Sequence, residues 1–236
     1  MKEYNPFHKI AVEERKSHAD YLADELKNMI IIGQLRPGHA FPNENDLCKQ
    51  LNVSRGTLRE AYKILEIQGY ISRSKQGTFV KEKDDVAING SFSASLELSQ
   101  YNELIEFVSI LDSEAAYLAA QRATDEQLEE IEKYMRQCEI NKDIPGAIEE
   151  FNYIFHLHIR MASNNQLIIS ALSASYETFN QKIIRKLIIH DAAGFMDNCI
   201  EQHEKLFKAI KNREAEKAKK IAYEHLMSDI EQYKKM

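Results

Sequence analysis

The sequence predicts a mainly α-helical protein in which three short helices and a β-hairpin precede an all-α bundle of six helices. Helical periodicity of apolar residues covers most of the chain, and β-favouring runs occur at one place only. Eight Gly and four Pro are also few for 236 residues. A sandwich or propeller, which needs a turn about every 8–12 residues, is therefore disfavoured.

The first two helices are predicted from their caps. Ser17 and Asp20 have the spacing of a capping box, an apolar stripe follows them, and Gly33 supplies the stop of the first helix. Asn43 caps the second helix, whose Leu47 points inward. A tight turn then leads to a third helix.

The third helix and the hairpin complete an N-terminal domain predicted over residues 1–81. Ser54 caps this helix and Gly69 ends it. Two short β-favouring runs follow, and Gly77 takes the positive-φ position in the turn that joins them. Residues 1–16 are an extension for which the sequence indicates no particular structure.

The second predicted domain, residues 100–236, is entirely helical. Periodicity fades over residues 82–99, which are mostly small and polar, so this stretch is interpreted as a linker. Thr124 and Gln127 form another capping box beyond it. The helices of the bundle are expected near residues 101–122, 124–141, 144–163, 166–190, 195–211 and 214–236.

Composition bounds the class of protein. No apolar run reaches the about 18 residues that a membrane span needs. The N-terminus also lacks the apolar core of a secretion signal. Cys48, Cys138 and Cys199 are odd in number and widely spaced, which suits free thiols in a reducing cytosol. The sequence therefore predicts a cytoplasmic protein that does not engage a membrane.

The net charge of -6 is distributed unevenly. Residues 1–83 hold 14 basic and 11 acidic residues, a net charge of +3, whereas residues 84–236 hold 17 and 26, a net charge of -9. Residues 54–83 alone carry seven basic residues against three acidic ones. A localised basic stretch on an acidic chain suggests a footprint for a polyanion, although a solvated charged face is the alternative.

The third helix has the design of a DNA-reading helix. It is the second of two helices joined by a tight turn, and the start of such a helix enters the major groove. Arg55 and Arg59 are four residues apart and share one face there, where arginine can bind guanine through two hydrogen bonds. The Ser54 and Thr57 hydroxyls suit phosphate oxygens, and Lys63 can reach another phosphate.

The hairpin tip extends this predicted surface. Lys75, Gln76 and Gly77 form a short basic wing that can lie along a minor groove. The alternative is an ordinary surface helix with i,i+4 charges followed by a solvated turn. The order of three helices and a basic hairpin favours the DNA-binding interpretation over that alternative.

Residues 22–80 resemble the winged helix-turn-helix of GntR-family bacterial transcription regulators. The resemblance is carried by Gly33, Leu35-Arg36-Pro37-Gly38, Phe41-Pro42, Glu44, Leu47, Leu51, Val53-Ser54-Arg55, Leu58-Arg59-Glu60-Ala61, Leu65, Gly69 and Gly77-Thr78-Phe79-Val80. It implies base contacts from Arg55 and Arg59, supported by the helix start and the wing. Asn45 stands where the family usually has an arginine, and Gly56 where a threonine is common, so the half-site sequence does not carry over.

Three histidines of the second domain are candidate metal ligands. His156, His203 and His225 fall on three different predicted helices, and Asn152 shares a helix face with His156. A bundle allows three such helices to direct one imidazole each at a common point. Three imidazoles and an oxygen suit a divalent transition metal of the Zn, Ni or Fe type. Three separate histidines, each bonded to its neighbours, are the alternative.

Residues 101–233 resemble the FCD ligand-binding domain of the FadR subfamily. The resemblance rests on Asn152, Phe155-His156, Ala162-Ser163-Asn164-Asn165, His203 and His225, and the six helices are similar to the smaller, VanR-type arrangement. It implies a divalent metal and a small carboxylate effector. Asn152 replaces the usual aspartate, and Val108 replaces an arginine that can pair with the effector. Arg160, Arg185 and Asn165 are the candidate effector-binding residues.

These features together predict a homodimeric, ligand-responsive repressor without enzymatic activity, which binds an inverted-repeat operator in double-stranded DNA. Two other functions stay open. The bundle can serve as a metal-free sensor of a larger apolar ligand such as an acyl thioester. A metal-dependent hydrolase would need a general base, for which Glu204 is the nearest candidate in sequence although it points about 100° away from His203.

Overall fold

The computed structural model describes residues 16–234 apart from residues 143, 145 and 146. For residues 147–149, 183, 185–197 and 229–234 the description covers the backbone alone. The chain divides between Leu98 and Ser99 into two compact units. Among the described helices, none combines the length and apolar character that crossing a bilayer requires. The predicted extension, residues 1–16, lies outside the described residues except for Lys16.

The first unit contains the predicted three helices and hairpin, followed by two further helices. Its elements are α1 (His18–Ile31), α2 (Glu44–Leu51), α3 (Arg55–Gln68), β1 (Ile71–Ser74), β2 (Gly77–Val80), α4 (Lys83–Asn89) and α5 (Phe92–Leu98). The strands are antiparallel, with Ile71 opposite Val80 and Ser74 opposite Gly77. This register leaves residues 75 and 76 as the loop of the hairpin.

The first three helices of this unit begin at the N-caps that the sequence predicts. Ser17, Asn43 and Ser54 each accept a backbone N–H from the first turn of their helix. Gly33 and Gly69 have φ of +79° and +94° at the ends of α1 and α3. The caps and the mainly α fold class predicted from the sequence are therefore confirmed.

The core of the first unit centres on α3, which has one fully buried face. Leu58, Tyr62 and Leu65 lie on that face with no exposed surface. Side chains from α1, α2 and the strands pack against them, among them Leu22, Leu26, Leu47, Ile71 and Val80. Burial of this face leaves the opposite face of α3 in solvent.

Residues 82–98 differ from the predicted linker. They form α4 and α5, and Val86 and Ala94 are buried in the core of the first unit. A Cβ added at Gly69 would lie 2.5 Å from the Gly90 Cα atom, so the end of α3 and the end of α4 approach closely. Two helices of seven residues each are too short to show the sustained periodicity from which helices are predicted.

The second unit contains six α-helices within the described residues, in agreement with the predicted bundle. They are α6 (Tyr101–Arg122), α7 (Asp125–Ile140), α8 (Ala147–Ala162), α9 (Gln166–Phe179), α10 (Arg185–Lys211) and α11 (Ala215–Lys234). The predicted break between residues 190 and 195 is wrong, since α10 runs through it. A π-helical segment, Asn180–Ile184, joins α9 to α10 instead. A helix tolerates Gly194 at a cost of about 1 kcal/mol relative to alanine.

Helix α6 lies at the centre of this bundle and contacts α8, α9, α10 and α11. Its alanines Ala115, Ala116, Ala119 and Ala120 are fully buried, which lets neighbouring helices approach closely. The buried face also contains Asp112. Helices α8, α10 and α11 each bring one candidate histidine to the interior beside it.

Candidate nucleic-acid interface and metal centre

The exposed face of α3 begins with the two predicted base-reading arginines. Arg55 and Arg59 are both exposed, whereas Leu58 and Tyr62 beneath them are fully buried. The helix is thereby fixed on the core by one face and presents its guanidinium groups on the other. Lys63 is exposed one turn further on, with its Nζ atom 4.0 Å from the Glu60 carboxylate.

Ser54 and Thr57 form the N-terminal cap of α3. The Ser54 Oγ atom accepts the Thr57 backbone N–H at 3.0 Å and lies 2.8 Å from the Thr57 hydroxyl. The first turn of the helix is therefore ordered by its own hydroxyls. The remaining N–H groups of that turn point out of the N-terminal end of the helix. The helix dipole favours an anion at that end.

The wing presents its predicted residues at the tip of the hairpin. Lys75, Gln76 and Gly77 are all exposed, and Gly77 has the predicted positive φ, +137°. The Gln76 backbone N–H donates to the Ser74 hydroxyl at 3.1 Å, which tightens the turn. A cleft of about 470 Å³ lies between the wing and the start of α2.

Sequence reasoning missed two charged residues of this surface. The Glu44 carboxylate accepts a hydrogen bond from Arg59 Nε at 2.8 Å and another from Arg73 Nη2 at 3.2 Å. Glu44 belongs to the motif that carried the family resemblance, and Arg73 to the basic stretch. The sequence gives no sign of these two bonds, because Glu44 is 15 residues from Arg59 and 29 residues from Arg73.

The three candidate histidines converge in the second unit. The ring centres of His156, His203 and His225 are 5.0–5.3 Å apart in all three pairs. One nitrogen from each ring can be chosen such that all three lie within 4.8 Å of one another. The rings come from α8, α10 and α11, and all three are buried. The spacing suits one ion bound by three imidazoles.

Hydrogen bonding favours a ligand at this cluster. Both ring nitrogens of His203, Nδ1 of His225 and Oδ1 of Asn152 are buried without a hydrogen-bond partner among the described residues. Buried polar atoms are almost always satisfied, because leaving one unpaired costs roughly 1–3 kcal/mol. Four unpaired polar atoms on these three side chains fit a bound cation better than three separately bonded histidines.

The electrostatics keep the imidazoles in the form that binds metals. Burial, together with the charge of His203 and then of His225, lowers the pKa of His156 well below its ordinary value. Burial and then His225 likewise lower the pKa of His203. For His225, burial lowers the pKa to about 4, and Asp112 opposes that shift. All three rings are therefore neutral at pH 7, as coordination requires.

A buried ion pair lies beside the histidines. The Asp112 carboxylate accepts hydrogen bonds from Arg160 Nε at 2.6 Å and from Nη2 at 2.7 Å. Arg160 Nη1 is buried without a partner among the described residues. Asp112 was not identified from the sequence. It lies on the buried face of α6 with Val108 and Ala116, and a search for apolar periodicity does not detect a charged residue on such a face.

The other two predicted effector residues are placed differently. Asn165 is the N-cap of α9, where its Oδ1 atom accepts the backbone N–H groups of Leu167 and Ile168. The described residues that line the cavity beside the histidines do not include it. The predicted Arg185 has a side chain outside the described residues.

The cavity itself is small. It has a volume of about 30 Å³ and is lined by His156, His225, Asn152, Arg160 and Asp112 together with apolar and aromatic side chains. A single water needs about 10–15 Å³ on this measure. The space therefore suits one or two small groups beside a bound ion.

Comparison with known families covers both units. The model of the FCD domain matches residues 103–228, and the model of bacterial regulatory proteins of the gntR family matches residues 18–80. The second match contains α1 to β2, including the arginines of α3. The first match contains all three histidines.

Individual relatives match over nearly the whole chain. An uncharacterized HTH-type transcriptional regulator of Bacillus subtilis, YcbG, is 28% identical over 92% of this chain and 91% of its own. The Glc operon transcriptional activator of Escherichia coli is 26% identical over 91% and 88%. The Uxu operon transcriptional regulator of Escherichia coli is 26% identical over 85% and 80%.

Solved structures share the fold. Lar of Listeria monocytogenes, which controls expression of the agr system, superposes with a TM-score of 0.61 at 17% identity over 94% of this chain and 99% of its own. Escherichia coli McbR/YncC superposes with a TM-score of 0.52 at 21% identity over 94% and 99%. These similarities support the fold of the chain.

Proposed function

This chain belongs to the GntR family of bacterial regulatory proteins and carries an FCD domain, and on that basis we propose that it is a repressor that reads its operator with Arg55 and Arg59. It is a ligand-responsive, DNA-binding transcription regulator. The observation that carries the proposed readout is the exposed arginine face of α3. The proposal includes phosphate contacts from Ser54, Thr57 and Lys63 and a minor-groove contact from the wing residues 75–77.

A binding experiment tests this readout. Selection from a random pool of duplexes at moderate ionic strength defines the operator, which is then titrated with the Arg55→Ala and Arg59→Ala proteins. We expect each substitution to weaken operator binding by about 5- to 150-fold, because each removes a bidentate contact to a base. Lys133→Ala, in the second unit, is the matched control and leaves operator affinity unchanged. Unaltered affinity in both arginine variants would reject the assigned helix.

The proposed assembly is a homodimer on an inverted repeat. Two copies related by a twofold axis present two α3 helices to two half-sites, so the symmetry of the operator follows from that of the protein. Sedimentation equilibrium checks the assembly, with twice the chain mass of 27.3 kDa as the expected result. A monomer that protects one half-site in footprinting would contradict it. Since transcription takes place at the chromosome, the proposed location is the cytoplasm.

The proposed sensor is a metal centre of the Zn, Ni or Fe type at His156, His203 and His225. The unpaired, buried nitrogens of the cluster support it, and Asn152 supplies an oxygen on the same side. A bound ion would offer open coordination positions to an effector. The chain's own residues would orient that effector, since Arg160 and Asn152 both line the cavity.

Metal analysis tests the centre. We expect the protein with His203→Ala and His225→Ala to contain no bound metal, whereas His158→Ala retains it. His158 lies on α8 close to His156, but its ring stacks on Tyr134 at 4.7 Å and takes no part in the cluster. Full metal content in the double variant would show that the ion binds elsewhere.

The volume of the cavity supports a small effector. Pockets for drug-sized ligands measure about 300–1,000 Å³, whereas this cavity measures about 30 Å³. A small polar metabolite, such as an organic acid, is the proposed ligand class. Lipid that copurifies with a metal-free protein would favour the alternative, a sensor of an acyl thioester.

We also propose that the protein is not an enzyme. The carboxylate of Glu204, the general base considered from the sequence, lies 3.5 Å from the Lys208 ammonium group, one turn along the outer face of α10. Asp112, which does line the cavity, is engaged by Arg160. Hydrolysis of simple esters by purified, metal-loaded protein would overturn this part of the proposal.

Repression is the proposed sign of regulation, and activation is the second candidate. The Escherichia coli relative of the Glc operon is described as an activator, which favours that second candidate. Transcription in vitro from a promoter that contains the selected operator distinguishes them. Transcript that decreases on addition of the protein supports repression, and transcript that increases supports activation.

A further inference from the structure

We infer that Glu44 is a positioning residue for DNA recognition, which holds one arginine of the recognition helix and one arginine of the wing as a fixed pair. The inference rests on the proposed role of Arg59 in reading bases. It adds Arg73, which lies on β1 opposite Thr78 and close to the tip of the wing, to the DNA-reading surface. It also assigns a function to an acidic side chain within a basic surface.

One carboxylate joins three elements of the first unit. Glu44 is the first residue of α2, directly after the N-cap Asn43, where the helix dipole favours a negative charge. Its Oε2 atom accepts from Arg59 Nε at 2.8 Å, and its Oε1 atom accepts from Arg73 Nη2 at 3.2 Å. Each oxygen thus holds one guanidinium group, the first from α3 and the second from β1.

The bond to Arg59 leaves its reading edge available. Arginine recognises guanine through two nitrogens directed at O6 and N7. Glu44 engages Nε, and within the described residues the two terminal nitrogens of Arg59 have no hydrogen-bond partner. The side chain is 62% exposed. Glu44 therefore fixes the plane of the guanidinium group and leaves its outer edge directed away from the protein.

Arg73 is held from a second side. Its guanidinium carbon lies 5.6 Å from the ring centre of Tyr62, within the range of a cation–π contact. Tyr62 is fully buried, and Phe41 packs against its ring edge-on at 5.4 Å. The wing is thereby connected to α3 through Arg73. The same side chain lines the cleft between the wing and α2.

The arrangement acts on specificity more than on stability. The Glu44 and Arg73 side chains are 27% and 31% exposed, so solvent reaches and screens this ion pair, and side-chain entropy opposes it. Without Glu44, two like charges would repel each other and two long side chains would have to be ordered on binding. Glu44 also cancels one of the two positive charges, which lowers the attraction to DNA of any sequence. It therefore favours the operator over other duplexes.

The test compares the operator with a scrambled duplex of the same length. The operator is the duplex that the full-length wild-type protein selects from a random pool, and the measured quantity is the ratio of the two affinities. We expect Glu44→Gln to bind the scrambled duplex more tightly and to lose about tenfold in this ratio, a fraction of a bidentate base contact. Glu60→Gln is the matched control.

Glu60 lies on α3 and is 65% exposed, and removing its charge leaves the arginine pair intact. Both affinities should rise alike in that control, with an unchanged ratio. Glu44→Asp provides a second variant that keeps the charge but shortens the side chain by one methylene. We expect it to lower the ratio without altering the affinity for the scrambled duplex.

Several results would overturn the inference. An unchanged ratio in Glu44→Gln and Glu44→Asp would reduce Glu44 to a charge near the interface. Loss of both affinities together with a loss of helical circular dichroism would show that Glu44 is needed for folding. If the wild-type protein selects no duplex at all, the proposed readout by α3 fails as well, which is a separate and recognisable outcome.

Discussion

Asn152 sets the charge of the proposed metal centre. Its Oδ1 atom is buried and unpaired beside three neutral imidazoles, so all four candidate ligand atoms are uncharged. The nearby Asp112 carboxylate is compensated by Arg160 through two hydrogen bonds. A divalent ion held by these residues keeps its full charge and favours an anionic partner. An effector that supplies this charge would bind together with the ion.

Substitution of Asn152 by aspartate tests this account. We expect Asn152→Asp to tighten Zn²⁺ or Ni²⁺ binding by at least about tenfold, or about 1.4 kcal/mol, because a carboxylate attracts the cation directly. Competition with a fluorescent chelator measures the change. The same variant without metal should be less stable, since its new carboxylate would be buried. Asn152→Leu removes the oxygen and should weaken binding.

The depressed pKa of His225 predicts a pH dependence in metal-free protein. Its folded pKa is about 4, below the unfolded value of about 6.5, so the unfolded chain takes up a proton first as the pH falls. The stability that this group provides is complete above pH 6.5 and is lost progressively towards pH 4. We expect His225 alone to cost about 2 kcal/mol between pH 7 and pH 5.

Urea denaturation at the two pH values measures this difference. His225→Asn should reduce the loss between pH 7 and pH 5, while His158→Asn, outside the cluster, should change it less. An identical pH dependence in His225→Asn and wild type would contradict the assignment. Saturating Zn²⁺ should leave the dependence at least as large, because a bound cation keeps the folded-state ring unprotonated while the unfolded chain still takes up its proton.

At the scale of secondary structure, α4 and α5 are helices that depend on packing against the core of the first unit. Val86 and Ala94 enter the core that contains α3, and Leu98 packs against that core. The Ser91 backbone N–H and hydroxyl both donate to the Gln68 carbonyl group, at 3.2 and 3.0 Å. These bonds satisfy a carbonyl at the end of α3. The segment after the wing therefore stabilises α3, the proposed recognition helix.

Two glycines allow the contribution of this contact to be measured. Both Gly33 and Gly69 have positive φ, but a Cβ at Gly33 would meet nothing within 4 Å, whereas one at Gly69 would lie 2.5 Å from Gly90. We expect Gly33→Ala to cost about 1 kcal/mol for the backbone conformation. Gly69→Ala should cost about 1–3 kcal/mol more, because the two backbones must separate.

Chemical denaturation followed by circular dichroism measures both variants. Equal destabilisation of the two would mean that the end of α4 moves without cost, and the close contact would have no energetic role. If Gly69→Ala lowers the free energy of unfolding more than Gly33→Ala does, it should also weaken operator binding, since the end of α3 would shift.

At the scale of the whole molecule, charge is distributed unevenly along the chain. Residues 1–83 have a net charge of +3 and the remainder -9. The positive charge is concentrated on α3 and the wing, where it attracts phosphate, while the acidic bundle does not compete for DNA. A ligand that binds the bundle can change operator affinity only through a difference in its own affinity for the DNA-competent state.

Removal of metal should act on the bundle first. A ligand that binds only the folded state stabilises it by mass action, by about 2.7 kcal/mol at a hundredfold excess over Kd. We therefore expect a chelator to lower the unfolding temperature of the wild-type protein by several degrees. Differential scanning calorimetry measures this shift. The variant with His203→Ala and His225→Ala should not respond, and an equal response would locate the ion elsewhere.

Local signals in the sequence determined most of the helices and their ends. Ser17, Asn43 and Ser54 act on their own first turns, and a glycine with positive φ needs no distant partner. The hairpin and the exposed arginines of α3 follow from equally short-range patterns. The three histidines were recognised by type and by their separation onto different helices.

Tertiary structure decided the remainder, because the interactions concerned join residues far apart in the chain. Glu44 binds Arg59 and Arg73, and Asp112 binds Arg160, 48 residues further along the chain. Gly90, which follows the end of α4, packs closely against Gly69 at the end of α3. A sequence records which side chains exist and the local conformations they favour. Which charges compensate each other, and which polar atoms are left for a ligand, depends on the packing of helices against one another.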